Sequence, residues 1–383
     1  MNFPFVLPTK IVMEPGLRSQ VGQHLQEMQL TRILIVTDPG IEAAGLLSPI
    51  YASLEHAGIS FKVTTEVKPN PRSEDCNRIA NEYRGADIEG LLAVGGGSAI
   101  DAAKAIAVLM THEGVIEDYE GENTLVTDPL PLVAIPTTAG TGSEVTFFSV
   151  ITDSARQYKM SLLDVRLAPE LALLDTEVTA QLPPAIAAAT GMDALTHAIE
   201  AYTGKMANPI SDALALHAIR LISSNLLPAV EERDNHGARE QMMVASLIAG
   251  MAFGNADIAS VHCISEAIGG MYDTPHGVAN SIFLPFIFRH NCDADLERHS
   301  QVAFALGVDP QLGEADAARA AVDVLFNMSQ RLGIPKFSEV AGVQEADFHS
   351  IAEKSKQNIS DASNAKEMTV DSYLDIIRQA YNY

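Results

Sequence analysis

The strongest constraint on this sequence is a set of short apolar runs in its first half, each breaking off into a loop of small or polar residues. Ile33-Leu34-Ile35-Val36 ends in Thr37-Asp38-Pro39-Gly40, and Phe61-Lys62-Val63-Thr64 leads to Pro69-Asn70-Pro71. Leu91-Leu92-Ala93-Val94 runs into Gly95-Gly96-Gly97-Ser98, and Leu132-Val133-Ala134-Ile135 into Pro136-Thr137-Thr138. A strand covered on one face alternates apolar and polar residues, whereas a continuously apolar strand is covered on both. With helical patterns between the runs, the expectation is a parallel sheet flanked by helices. Ligands of such sheets bind at the loops that follow the carboxyl ends of the strands.

After Leu171-Ala172-Leu173-Leu174-Asp175 the pattern changes. From Pro183-Pro184 onward the periodicity is helical, over 185–202, 210–227, 239–253, 260–271 and 279–290, and strand signals almost vanish. A chain of 383 residues exceeds what one simple core supports. The expected organisation is therefore an α/β domain over residues 1–180 and an all-α domain over 181–383. The opening, Phe3-Pro4-Phe5-Val6-Leu7 and then Ile11-Val12-Met13, suits an edge hairpin or an arm that pairs with a second subunit.

Composition narrows the class. Hydrophobic residues make up 47% and charged residues 19%, as in a packed globular protein. The formal charge of -24, from 49 acids against 25 bases, repels nucleic acid and anionic lipid, so neither is an expected partner. Cys76, Cys263 and Cys292 show no CxxC spacing, which argues against a disulfide framework and fits a reducing cytoplasm. Met1-Asn2-Phe3-Pro4 opens without a charged or an apolar leader-like stretch, so no secretory signal is expected. The most apolar stretch, residues 242–253, is shorter than a membrane crossing needs and reads as a core helix.

Three groups of residues carry chemistry. Gly95-Gly96-Gly97-Ser98 precedes the helical Ala99-Ile100-Asp101-Ala102-Ala103-Lys104. Glycines admit a phosphate close to the backbone, and a helix N-terminus offers free N–H groups and a favourable dipole. The same residues also spell a capping box, Ser98 with Asp101. Thr137-Thr138-Ala139-Gly140-Thr141-Gly142-Ser143-Glu144 is rich in hydroxyls that can line an anionic ligand, or it is simply a long polar connection. Asp38, just past a strand, is placed to accept from ribose hydroxyls and to repel a 2′-phosphate, or to serve as a turn residue. Together these favour NAD over NADP.

In the second half, Asp193 and His197 stand four apart within Gly191-Met192-Asp193-Ala194-Leu195-Thr196-His197-Ala198-Ile199-Glu200, hence one above the other on a helix. Such a pair is usually a solvated one. His262 in an apolar helix start and His276 in Asp273-Thr274-Pro275-His276-Gly277 are, taken singly, more often core or turn residues. As a set, one carboxylate and three imidazoles suit Fe²⁺, Zn²⁺ or a related divalent ion and leave room for a substrate atom.

The phosphate-loop motif, the 137–146 loop, the Gly191–Glu200 helix and Thr274-Pro275-His276-Gly277-Val278-Ala279-Asn280 resemble the iron-containing (group III) alcohol dehydrogenases, such as lactaldehyde/propanediol oxidoreductases. The resemblance spans essentially the whole chain. It implies an N-terminal dinucleotide domain, a helical metal domain and a cleft between them. It also implies that Asp193, His197, His262 and His276 bind the metal, with iron expected ahead of zinc. Asp38, Asn70, Gly96, Gly97, Ser98, Asp101, Thr137, Thr138, Thr141 and Lys159 match the family's NAD(H) contacts. A homodimer interconverting a small alcohol and its aldehyde would follow.

Two departures bear on substrate. The family usually has a second histidine four residues after the third ligand, facing nicotinamide and substrate, and Glu266 stands there. It shares a helix face with His262, which leaves proton relay, metal binding, a hydrogen bond to a polar substrate or a supporting role open, the substrate or proton-transfer role being preferred. Asn364-Ala365-Lys366 replaces the common Asn-Pro-Arg. Rival readings on the same scaffold are a zinc polyol dehydrogenase or a dehydroquinate-synthase-like lyase, whose phosphate substrates call for a basic cluster not seen in the helical half. A non-catalytic NAD-binding regulator is disfavoured by the intact ligand set.

Overall fold

A computed structural model describes residues 3–232 and 234–383. The chain divides into two compact units. One comprises Val6–Thr138 and Ser143–Leu182, and the other Pro183–Tyr383 together with Ala139–Gly142 and the described residues 3–5.

The first unit holds strands β1 (Lys10–Glu14), β2 (Arg32–Val36), β3 (Ser60–Thr64), β4 (Gly90–Gly95), β5 (Gly121–Glu122), β6 (Leu132–Pro136), β7 (Phe148–Asp153), β8 (Tyr158–Leu163) and β9 (Leu171–Asp175). Its helices are α1 (Val21–Glu27), α2 (Pro39–Ala43), α3 (Ser48–His56), α4 (Ser73–Tyr83) and α5 (Gly97–Thr111). Six strands form one sheet in the order β1-β9-β6-β4-β2-β3, every pair parallel. The continuous apolar runs explain the arrangement. Leu34, Val36, Leu91, Ala93 and Ala134 point to one face, against Ile79 of α4 and Ile100, Ala103 and Ile106 of α5. Ile33, Ile35, Leu92, Val94 and Val133 point to the other, against Val21 and Leu25 of α1 and Ile50 and Leu54 of α3.

The chain leaves β2 for the edge strand β3, then returns to the far side of β2 with β4. This reversal puts a switch point between the carboxyl ends of β2 and β4, where open α/β sheets bind their ligands.

The opening segment is not a hairpin. β1 pairs in parallel with β9, from Lys10 opposite Leu171 to Glu14 opposite Asp175, and so forms a sheet edge. A hairpin requires antiparallel neighbours. Met1 and Asn2 of the expected arm lie outside the described residues. A second, small sheet, β5-β8-β7, was not evident in the sequence, and its β7 and β8 form an antiparallel pair.

The second unit is helical: α6 (Pro184–Thr203), α7 (Pro209–Glu231), α8 (His236–Phe253), α9 (Ser260–Tyr272), α10 (His276–Asn291), α11 (Leu296–Ala305), α12 (Glu314–Arg331), α13 (Phe348–Gln357) and α14 (Val370–Tyr381). By length and hydropathy it is α7, rather than residues 242–253, that could cross a membrane. Its Ala215, Ala218, Ile219, Ile222 and Leu226 are buried, and it packs on α6 and α8.

Candidate metal centre and cofactor loops

Three helices converge on one polar cluster within an apolar unit. α6 brings Asp193 and His197 on one face, α9 brings His262, and α10 begins with His276. One ligand atom from each of the four lies within 4.8 Å of the other three. The His262 and His276 Nε2 atoms stand 3.9 Å and 3.7 Å from Asp193 Oδ1. The His197 ring is sandwiched between Phe253 and His262, with centroids 4.2 Å and 4.5 Å away. Asp193, His197 and His262 are buried, and His276 is partly exposed.

Burial alone would raise the Asp193 carboxyl, but His197, His276, His262 and a hydrogen bond from Asn280 together lower it. Burial pulls His197 down to about 4 against the attraction of Asp193, which keeps an imidazole lone pair available for a metal ion.

Two further residues, without a role assigned from the sequence, support the ligands. Glu200, one turn beyond His197, accepts from the backbone N–H groups of Ala259 (2.9 Å) and Val261 (2.7 Å) and contacts His262 Nδ1 at 2.5 Å. It thereby satisfies free N–H groups at the start of α9 and holds the proton on Nδ1, turning Nε2 toward Asp193. Burial lowers the His262 imidazole, yet Glu200, first by its charge and then by this bond, raises it overall.

Asn280, one turn beyond His276, points its amide nitrogen at Asp193 Oδ1 (2.6 Å), His262 Nε2 (3.0 Å) and His276 Nε2 (3.2 Å). Its own Oδ1, buried, has no hydrogen-bond partner among the described residues. Three acceptors thus converge on one electropositive group, and the donor set of one carboxylate and three imidazoles fits a divalent cation. Both stand within one turn of a ligand, but the contacts that reveal their roles, Glu200 with His262 and Asn280 with Asp193, join residues far apart in sequence.

Glu200→Gln is expected to weaken metal binding by about 10–100-fold, the usual cost of losing the group that orients a ligating histidine. Competition with a chromogenic chelator measures it. Wild-type affinity in the variant would show that Glu200 only caps the helix.

The residues matched to cofactor contacts gather mainly at the switch point of the first unit. Asp38 caps α2, its Oδ1 accepting from Gly40 (2.8 Å) and Ile41 (3.1 Å), so the turn role is real. Its Oδ2 faces Gly95, where an added Cβ would stand 3.4 Å from it. A Cβ on Gly96 would meet Thr138 Oγ1 at 3.2 Å, which places the glycine turn beside the threonine loop. Thr137 N–H donates to Gly95 O (3.0 Å) across the neighbouring ends of β4 and β6. Asn70 takes a positive φ of 52° and is buried, and Lys159 is buried on β8.

Thr141 belongs to the Ala139–Gly142 segment, which groups with the helical unit. There Gly142, at φ +59°, approaches α8 so closely that a Cβ would lie 2.5 Å from Gly250 Cα.

The expected capping box does not form. α5 starts at Gly97 after Gly96, with no side-chain cap. The Asp101 carboxylate instead accepts from Ser143 Oγ (2.5 Å) and Val150 N–H (3.1 Å). Gly97 and Ser98 occupy the first turn of the helix, with their N–H groups at its amino end.

Glu266 is buried one turn beyond His262, and its Oε2 accepts from Asn358 Nδ2 at 2.6 Å. Asn358 is itself fixed by capping Ser360 N–H.

A parallel α/β unit with a loop-rich switch point is followed by a helical unit with four converging metal-type ligands, and matches over both units place the chain among the oxidoreductases that act on CH–OH groups. Residues 8–176 match the iron-containing alcohol dehydrogenases and residues 187–381 the C-terminal part of the same family, and the chain belongs to the iron-containing alcohol dehydrogenase family. It is 39% identical over 383 residues to the 1,3-propanediol dehydrogenase of Klebsiella pneumoniae, covering 99% of each. It is 36% identical over 377 residues to the NAD-dependent methanol dehydrogenase of Bacillus methanolicus, covering 98% of this chain and 99% of the relative. The crystal structure of a 1,3-propanediol oxidoreductase matches with a TM-score of 0.95 at 38% identity, over 99% of this chain and 100% of that one.

Proposed function

We propose that this alcohol dehydrogenase interconverts a small primary alcohol and its aldehyde with NAD(H) and a divalent metal, iron ahead of zinc. The single observation that carries the reading is the convergence of Asp193, His197, His262 and His276 within 4.8 Å. When bound, the ion supplies Lewis acidity toward a hydroxyl or carbonyl oxygen and the nicotinamide supplies or accepts the hydride.

The chain's own residues bind and orient. Asp193 and the three histidines hold the ion, with Glu200 fixing the His262 ring. Gly96, Gly97 and Ser98 offer backbone N–H groups to a pyrophosphate at the start of α5. Asp38 accepts from a ribose hydroxyl, with Asn70, Asp101, Thr137, Thr138, Thr141 and Lys159 completing the NAD site. Support comes from the switch point between β2 and β4 and from the NAD-dependent relative. Residues 1–180 serve as the cofactor domain and 181–383 as the metal and substrate domain. Glu266, on the His262 face of α9, hydrogen-bonds a polar substrate group or moves a proton. The enzyme works in the cytoplasm as a homodimer.

The test follows NADH absorbance with a panel of short aldehydes, before and after chelation and reloading with Fe²⁺ or Zn²⁺. Turnover that vanishes on chelation and returns with one ion is the expected outcome. Turnover that survives complete metal removal would refute the metal assignment. Loss of the absorbance change with every aldehyde, metal being bound, would refute the substrate class.

A further inference from the structure

A lysine with no exposed surface is unusual unless its charge is met by several partners. Lys104, in the second turn of α5, is such a residue. Its Nζ donates to Ser143 Oγ (3.1 Å), Thr146 O (3.0 Å), Thr146 Oγ1 (3.3 Å) and Phe148 O (2.6 Å). Asp101 Oδ1, one turn back, lies 3.8 Å away and offsets the charge. Burial pulls the amine down to about 8, with Asp101 and then Glu144 resisting.

Asp101 acts on the same segment. Its carboxylate accepts from Ser143 Oγ and Val150 N–H, and its backbone carbonyl accepts from Ser149 Oγ at 2.9 Å. One turn of α5 therefore holds residues 143–150 at several points. The first turn of that helix is the glycine loop. The held segment begins where the Thr137–Gly142 loop ends. A single rigid helix thus fixes the distance between two loops that come from different strands.

The structure assigns to Lys104 and Asp101 a joint positioning role: together they set the spacing of the Gly95–Ser98 and Thr137–Ser143 loops, so that both reach one dinucleotide. Lys104 touches no ligand and acts through Ser143, Thr146 and Phe148. This inference rests on the NAD reading above. A methionine can fill the lysine's volume but leaves Ser143, Thr146 and Phe148 without their donor. An arginine keeps charge and donors, with a different shape.

The experiment is a fluorescence titration of NADH into the full-length, metal-loaded enzyme, which is free of tryptophan emission because the chain has no Trp. Wild type, Lys104→Met, Lys104→Arg and Ser143→Ala are compared, with a thermal melt of each. A misplacement of an ångström can cost about a hundredfold in rate, and a displaced loop loses cofactor contacts for the same geometric reason. The expected result is NADH binding at least about tenfold weaker in Lys104→Met, with partial recovery in Lys104→Arg. Ser143→Ala, which keeps the lysine, weakens binding by a smaller factor and decides the matter if the methionine variant does not fold. Lowered melting temperature with wild-type NADH affinity, in Lys104→Met or in Ser143→Ala, would overturn the inference and leave Lys104 a simple tether. A wild-type enzyme that binds no NADH would instead remove the cofactor reading, and the inference with it.

Discussion

Replacing His262 with alanine is expected to strip the metal and lower turnover by about a thousandfold or more. A Lewis acid at a reacting oxygen supplies several kcal/mol, and each 1.36 kcal/mol is a factor of ten. His262 is the most constrained of the four ligands. It is 1% exposed, its Nδ1 is held by Glu200, and its ring stacks on His197. Truncation would also leave the Glu200 carboxylate facing a cavity with only the Ala259 and Val261 N–H groups to satisfy it. Metal content by mass spectrometry and aldehyde-dependent NADH oxidation are measured on the same sample. A variant that keeps stoichiometric metal and near-wild-type turnover would show that His262 is not a ligand.

The second large effect arises from packing rather than chemistry. Gly277 follows His276 directly, and a Cβ there would lie 2.5 Å from Ala189 O, 2.9 Å from Ala189 C and 3.4 Å from Asp193 Cβ. The obstacle is the backbone of α6, which cannot yield as a side-chain tip can. Gly277→Ala must therefore push α10 away from α6 and pull His276 away from Asp193. Overpacking of this kind costs about 1–3 kcal/mol, and the metal site is spread by the same displacement. The expected outcome is a lower melting temperature together with at least about tenfold weaker metal binding, since ligands 2.0–2.2 Å from an ion tolerate little spreading. Metal affinity equal to wild type, whatever the melting temperature, would mean that the two helices can part without disturbing the ligands.

What the sequence revealed and what it concealed divide along physical lines. The strands 32–36, 90–95, 132–136 and 171–175 were legible because a strand buried on both faces has no choice but to be apolar throughout. Helix α6 was legible for its length, and its Asp193–His197 pair for the i, i+4 spacing. The small sheet was not. β5 has only two residues, and β7 and β8 carry polar residues such as Ser149, Thr152, Lys159 and Ser161 that do not separate from loop. The capping box failed because a glycine turn lets α5 begin without a side-chain cap, while Asp101 finds donors 42 and 49 residues away. Glu200 was invisible for the same reason, since His262 lies 62 positions further on. Local spacing finds pairs on one helix; it is silent on which helices meet.

The parallel pairing of β1 with β9 has a consequence for how the protein is made. Glu14 leaves the ribosome early, yet its partner Asp175 appears only when the whole first unit has been translated. At about 5–20 residues per second this is a wait on the order of ten seconds. From its own synthesis until β9 emerges, β6 has one unpaired edge, because β9 is also its neighbour, and an open apolar edge is a template for pairing with other nascent chains. The last strand of the sheet thus closes two edges at once, and synthesis stalled shortly before residue 171 should yield a chain far more prone to aggregate than one released a few residues later.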